Sequence, residues 1–108
     1  MPRYVPPYDR REKHMPGYNF CGPGTDVWRR LRNGVRPMNR IDAACLQHDR
    51  VTEPRGPYLG RNNPRRMRAA DRRLIAACRR YYMDDPAAAG VIIAAMNAVL
   101  ATGARGRS

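Results

Sequence analysis

The stretch PMNRIDAACLQHD, Pro37 to Asp49, decides the architecture. Asn39 reads as the N-cap of a helix, with Asp42 set against the positive end of the helix dipole. From there Ile41, Ala44, Cys45, His48 and Val51 or Thr52 recur at the three-and-four spacing of one helical face. The helix is predicted over residues 39–53, where Pro54 stops it. His48 therefore lies on the inward face, with Asp49 beside it, above Cys45.

Upstream, YNFCGPGT, Tyr18 to Thr25, sets two glycines around a proline, which neither helix nor strand tolerates, so it reads as a tight loop. Glycines let such a loop turn its carbonyl oxygens toward a common centre, and a hard cation such as calcium takes several such oxygens plus a carboxylate. Residues 1–17 carry Pro, Arg and Tyr without periodicity and read as a flexible arm. Downstream, residues 54–66 are predicted as a loop and residues 67–82 as a second helix, with Ala70, Asp71, Leu74, Cys78 and Tyr81 on one face. An acid on that stripe needs a partner, and an imidazole whose tautomer Asp71 fixes is a suitable one. Pro86 opens a third helix that ends near Gly103. Its residues are almost uncharged, and at about 1.5 Å per residue it would span ~27 Å, just short of comfortable for a bilayer. It is expected to pack on the domain or lie at an interface.

Twenty arginines and one lysine stand against nine carboxylates, for a formal charge of +12. Such a surface is drawn to anionic lipid or nucleic acid, and arginine grips phosphate with paired hydrogen bonds. The clusters Arg29-Arg30-Leu-Arg32, Arg65-Arg66-Met-Arg68 and Arg79-Arg80 read as solvated faces or as anion contacts, and no nucleic-acid-binding motif accompanies them. Cys21, Cys45 and Cys78 form neither a metal-ligand pattern nor an even disulfide framework, so at most one internal bridge can form. The chain length suits one domain, and the first 30 residues do not read as a signal peptide.

In this order, the loop FCGPGT, the helix PMNRIDAACLQHD and the later AADRRLI resemble the secreted phospholipase A2 superfamily, closest in style to the branch found in parvovirus capsid proteins. The resemblance covers Tyr18 to Cys78. It implies a mainly α fold in which two antiparallel catalytic helices follow a calcium-binding loop, with a third, apolar C-terminal helix. It divides the chain into an arm (1–17), a catalytic domain (18–85) and an apolar helix with a basic tail (86–108). It implies calcium held by the backbone carbonyls of Phe20, Gly22 and Gly24 and by the Asp49 side chain. His48 would be the general base that activates water on the sn-2 ester, Asp71 its orienting acid, and the Gly22 amide an oxyanion donor. It also implies a Cys21–Cys45 bridge, closing a loop of about 25 residues and contributing about 3 kcal/mol. Cys78 has no counterpart and is expected to be free or intermolecular.

Two departures stand out. Phe20 replaces a tyrosine at little cost, because the ligand there is a carbonyl. Thr52 replaces a tyrosine whose hydroxyl supports the orienting aspartate, which lowers the expected rate. The resemblance further implies a carboxylic ester hydrolase acting on a phospholipid membrane, carried in a virion beside capsid proteins or secreted, and serving membrane penetration. The alternative is a basic module of weak or no catalysis that binds anionic lipid or nucleic acid.

Overall fold

The computed structural model describes residues 2–52 and 63–103; among them are helices, loops and turns, and no strand. The elements are α1 (Val27–Arg32), α2 (Arg40–Thr52), α3 (Pro64–Arg80), a 3-10 turn (Tyr82–Asp84) and α4 (Pro86–Thr102). α3 packs against both α2 and α4. The core between them holds Phe20, Val27, Ile41, Cys45, Leu74, Cys78, Ala89 and Ile92.

Local chemistry sets the helix ends. The Asp42 amide donates to the Asn39 side chain (2.9 Å), the bond expected of an N-cap. α3 begins at Pro64 rather than at residue 67, because Asn63 accepts from the Arg66 amide and Pro64 supplies a first-turn residue with φ already fixed. It also ends earlier, at Arg80, with Tyr81 as its C-cap. Asp85 caps α4 by accepting from the Ala88 amide, and Gly103, at φ 73°, closes the helix in the left-handed region. Neither α1 nor the 3-10 turn was expected from the sequence. Glu53, most of the 54–66 loop and the basic tail with Arg105 and Arg107 lie outside the described residues.

Residues 2–17 have no helix or strand, but they are not the loose arm expected from their composition. Glu12 and Arg30 are buried together and joined by two bonds, Arg30 Nε to Glu12 Oε2 (2.8 Å) and Nη2 to Oε1 (3.0 Å). Arg30 also donates to the carbonyls of Val5 and Pro6. Its Nη2 lies 2.9 Å from His14 Nε2, while His14 Nδ1 donates to the Tyr18 carbonyl (2.6 Å). The fully buried Asn19 side chain accepts from the Val5 amide and donates to the carbonyls of Arg3 and Arg36. Arg30 is thus no part of a solvated face: it is the post around which the arm is tied. Arg68 is buried as well. No helix among the described residues is long and apolar enough to cross a membrane.

Candidate active site

His48 and Asp71 come from neighbouring helices and meet. His48 Nε2 lies 2.6 Å from Asp71 Oδ1, and His48 Nδ1 lies 3.3 Å from Asp49 Oδ1. Asp71 is fully buried and His48 nearly so. Burial pulls the His48 pKa down, but the carboxylates of Asp49 and Asp71 outweigh it and hold it above the usual value. Asp71 therefore fixes Nε2 as the protonated nitrogen and leaves Nδ1 as the one able to exchange a proton. The Thr52 hydroxyl donates to the His48 carbonyl (3.3 Å), so it braces its own helix rather than Asp71.

The loop before α1 lies against this pair. Its entry is fixed by Asp42, whose buried carboxylate accepts four backbone amides: Phe20 (2.8 Å) and Cys21 (3.2 Å) on one oxygen, Asn19 and Met38 (both 2.9 Å) on the other. A disulfide joins Cys21 to Cys45 with a Cα separation of 5.1 Å, so loop and helix are held by a covalent bond and by a carboxylate three residues apart on α2. Cys78 is free and buried, and burial pushes its thiol up to about 11, which makes it an inert packing group.

The loop's outer edge is covered by the arm. The Lys13 amide donates to the Pro23 carbonyl (2.9 Å) and the Met15 amide to the Cys21 carbonyl (2.8 Å). Gly22 and Gly24 have φ of 139° and 78°. A Cβ at Gly22 would overlap His14, and one at Gly24 would overlap the Arg11 carbonyl. The glycines are needed for this close approach as well as for the turn, and that requirement cannot be read from the loop alone.

Of the carbonyls that the resemblance implies as ligands, those of Phe20 and Gly22 accept no backbone bond from the arm. The Phe20 carbonyl has no donor among the described residues although Phe20 is fully buried, and the Gly22 carbonyl accepts only the Thr25 hydroxyl (3.1 Å). Phe20, Gly22, Gly24 and Asp49 line one cavity together. Among the described residues no cluster of His, Cys, Asp and Glu could hold a metal by side chains alone. Backbone oxygens with a single carboxylate fit a hard cation such as calcium and do not fit a thiophilic or imidazole-seeking metal. The Gly22 amide makes no hydrogen bond among the described residues.

The cavity measures about 710 Å³. His48, Asp49, Thr52 and the loop form its polar end, and Leu74, Val91, Ile92, Ala95, Met96 and Val99 its apolar wall. Sequence reasoning missed the α4 wall. The only signal was the lack of charge along that helix, which equally suits a core helix or an interfacial one.

Fold and site together define a small, disulfide-linked α-helical domain in which a His–Asp pair opens on an apolar cavity. A family model described as Phospholipase A2-like domain matches residues 11–94, and the chain belongs to that family. The matched span takes in the loop, α2, α3 and the first half of α4, and begins within the arm. Membership points to lipid hydrolysis of the phospholipase A2 type. No curated protein and no solved structure matches the chain.

Proposed function

We propose that the chain is a calcium-dependent phospholipase A2 that hydrolyses the sn-2 ester of phospholipids. The observation that carries this reading is His48 bonded to buried Asp71 through Nε2, with Nδ1 turned toward Asp49 at the polar end of an apolar cavity. Phe20, Gly22 and Gly24 carbonyls and the Asp49 carboxylate would hold the cation. Bound there, calcium supplies a counter-charge to Asp49 and Lewis-acid polarisation of the ester carbonyl.

The protein's own groups do the rest. The apolar wall takes the acyl chain and excludes water from around it. His48 Nδ1 removes a proton from a water whose oxygen attacks the ester carbon, while the carbonyl π pair moves onto oxygen. The Gly22 amide donates to that oxygen. The intermediate collapses, the bond to the glycerol oxygen breaks, and His48 returns its proton to the departing lysophospholipid. Asp71 keeps the imidazole oriented and stabilises its charged form throughout.

The reading extends to the setting: a protein of a virion or an extracellular protein, acting at a membrane surface and serving membrane penetration. The test is fatty-acid release from mixed-phospholipid vesicles. Release should stop with a calcium chelator and fall about 10²–10⁴-fold in His48→Ala. Unchanged release under both conditions ends the proposal. The position of the Thr52 hydroxyl favours a second reading, a basic anion-binding module of little catalysis, which predicts vesicle binding indifferent to calcium and to His48→Ala.

A further inference from the structure

Six arginines run along α3 in two columns, Arg65, Arg72 and Arg79 in one and Arg66, Arg73 and Arg80 in the other. Within a column the step is seven residues, about two turns or ~10.5 Å. All six are exposed, while Asp71, Leu74 and Cys78 are buried. A period of 3.6 residues places the two columns on either flank of the face opposite those buried residues.

Among the described residues this face has no counter-charge of its own. None of the six pairs with a carboxylate among the described residues: Asp71 is engaged by His48, Asp84 by Arg40 (2.7 Å), and Asp85 by Tyr18 (2.6 Å). The first turn of α3 carries no acid, so Arg65 and Arg66 sit at the positive end of the helix dipole and weaken the helix they belong to. Such an array destabilises the isolated domain, and an external polyanion relieves it.

The position of the face decides which polyanion. α3 gives the cavity only Leu74, from its buried side. The exposed residues at the cavity are Arg11, Pro23, Gly24, Val91 and Ala95, from the arm, the loop and α4. A bilayer feeding lipid past those residues meets a different side of the domain from the outer face of α3. We propose that this outer face binds the phosphate backbone of a nucleic acid, on the side turned away from the lipid-binding cavity. The placing of the membrane rests on the phospholipase reading; the arginine array does not. A linear phosphate polymer suits a straight array ~22 Å long, and paired N–H groups suit its phosphates.

The test uses the whole chain with its disulfide intact and follows a fluorescein-labelled 20-nucleotide strand and a 20-base-pair duplex by anisotropy in calcium-free buffer at 50–200 mM NaCl. The array variant carries Arg72→Gln, Arg73→Gln, Arg79→Gln and Arg80→Gln, which preserve helix propensity. A control carries Arg3→Gln, Arg10→Gln, Arg32→Gln and Arg36→Gln, four exposed arginines elsewhere, so net charge falls equally. Thermal melts establish that both are folded. The array variant should bind at least about tenfold more weakly than the control, with a log–log salt slope flatter than the parent's by about three, and should hydrolyse vesicles at the parent's rate. Equal binding by the two variants overturns the proposal, because net charge alone would then explain it. So does loss of vesicle hydrolysis in the array variant with oligonucleotide binding retained, which would make the face a membrane contact. If the parent hydrolyses no lipid yet its oligonucleotide binding depends on the array, the phospholipase reading falls and the arginine face stands.

Discussion

Glu12→Gln tests whether the arm is a structural part of the domain. The Glu12 and Arg30 side chains are 1% and 0% exposed. Burial by itself raises the Glu12 pKa, but the bonds from Arg30 and from the Tyr8 and Asp26 amides outweigh it and hold it at about 2, against an ordinary 4.5. At about 1.4 kcal/mol per pH unit that gap is worth about 3 kcal/mol. The folded-state pKa lies below the unfolded one, so the contribution is complete above pH 4.5 and fades as pH falls toward 2. Glutamine keeps the shape, removes the charge and leaves a buried guanidinium without its counter-ion, a change that costs about 3–5 kcal/mol in buried pairs generally. The two routes agree. For a domain of this size each kcal/mol moves the midpoint by about 4–8 °C, so the variant should melt at least about 12 °C lower at pH 7. Far-UV circular dichroism melts at pH 7, 5 and 3, with the disulfide intact, are the assay. The gap between parent and variant should narrow between pH 5 and 3, where Glu12 of the unfolded chain takes up a proton while the folded one stays ionised. Midpoints within about 3 °C at pH 7, or a gap that does not narrow in acid, would refute the reasoning.

Further predictions concern the site. Asp42→Asn places an NH2 group where two backbone amides now donate, and should lower unfolding free energy by about 3 kcal/mol or more in urea titrations; a loss below about 1 kcal/mol would show that the disulfide alone holds the loop. Asp71→Asn should cut kcat for fatty-acid release by about tenfold or more with little change in KM, since it alters the imidazole and not the cavity; a change in KM alone would contradict the orienting role. Ala95→Trp fills the cavity from α4 and should suppress hydrolysis of long-chain substrates more than short-chain ones, measured as the ratio of kcat/KM; equal suppression of both would place the acyl chain elsewhere. Gly24→Ala forces a Cβ into the Arg11 carbonyl and should lower the melting midpoint by displacing the arm from the loop; an unchanged midpoint would deny that contact.

The sequence by itself determined what depends on neighbours along the chain. The Asn39 cap and the 3.6-residue stripe fix α2 and put His48 and Asp49 at one end of it, and Pro86 and Gly103 bound α4. Asp71 stood out because an acid on a buried helical face needs a partner, although nothing local names His48 as that partner. Tertiary structure alone decided the rest, because these contacts join residues that no period or motif relates. Arg30 reads as one more surface cation until Glu12, Val5 and Pro6 close around it from 18 to 25 positions away. The uncharged α4 becomes a cavity wall only once it is packed on α3 beside the loop. Gly22 and Gly24 serve the approach of another strand of backbone, a constraint in space that leaves no mark in the sequence beyond the missing side chains.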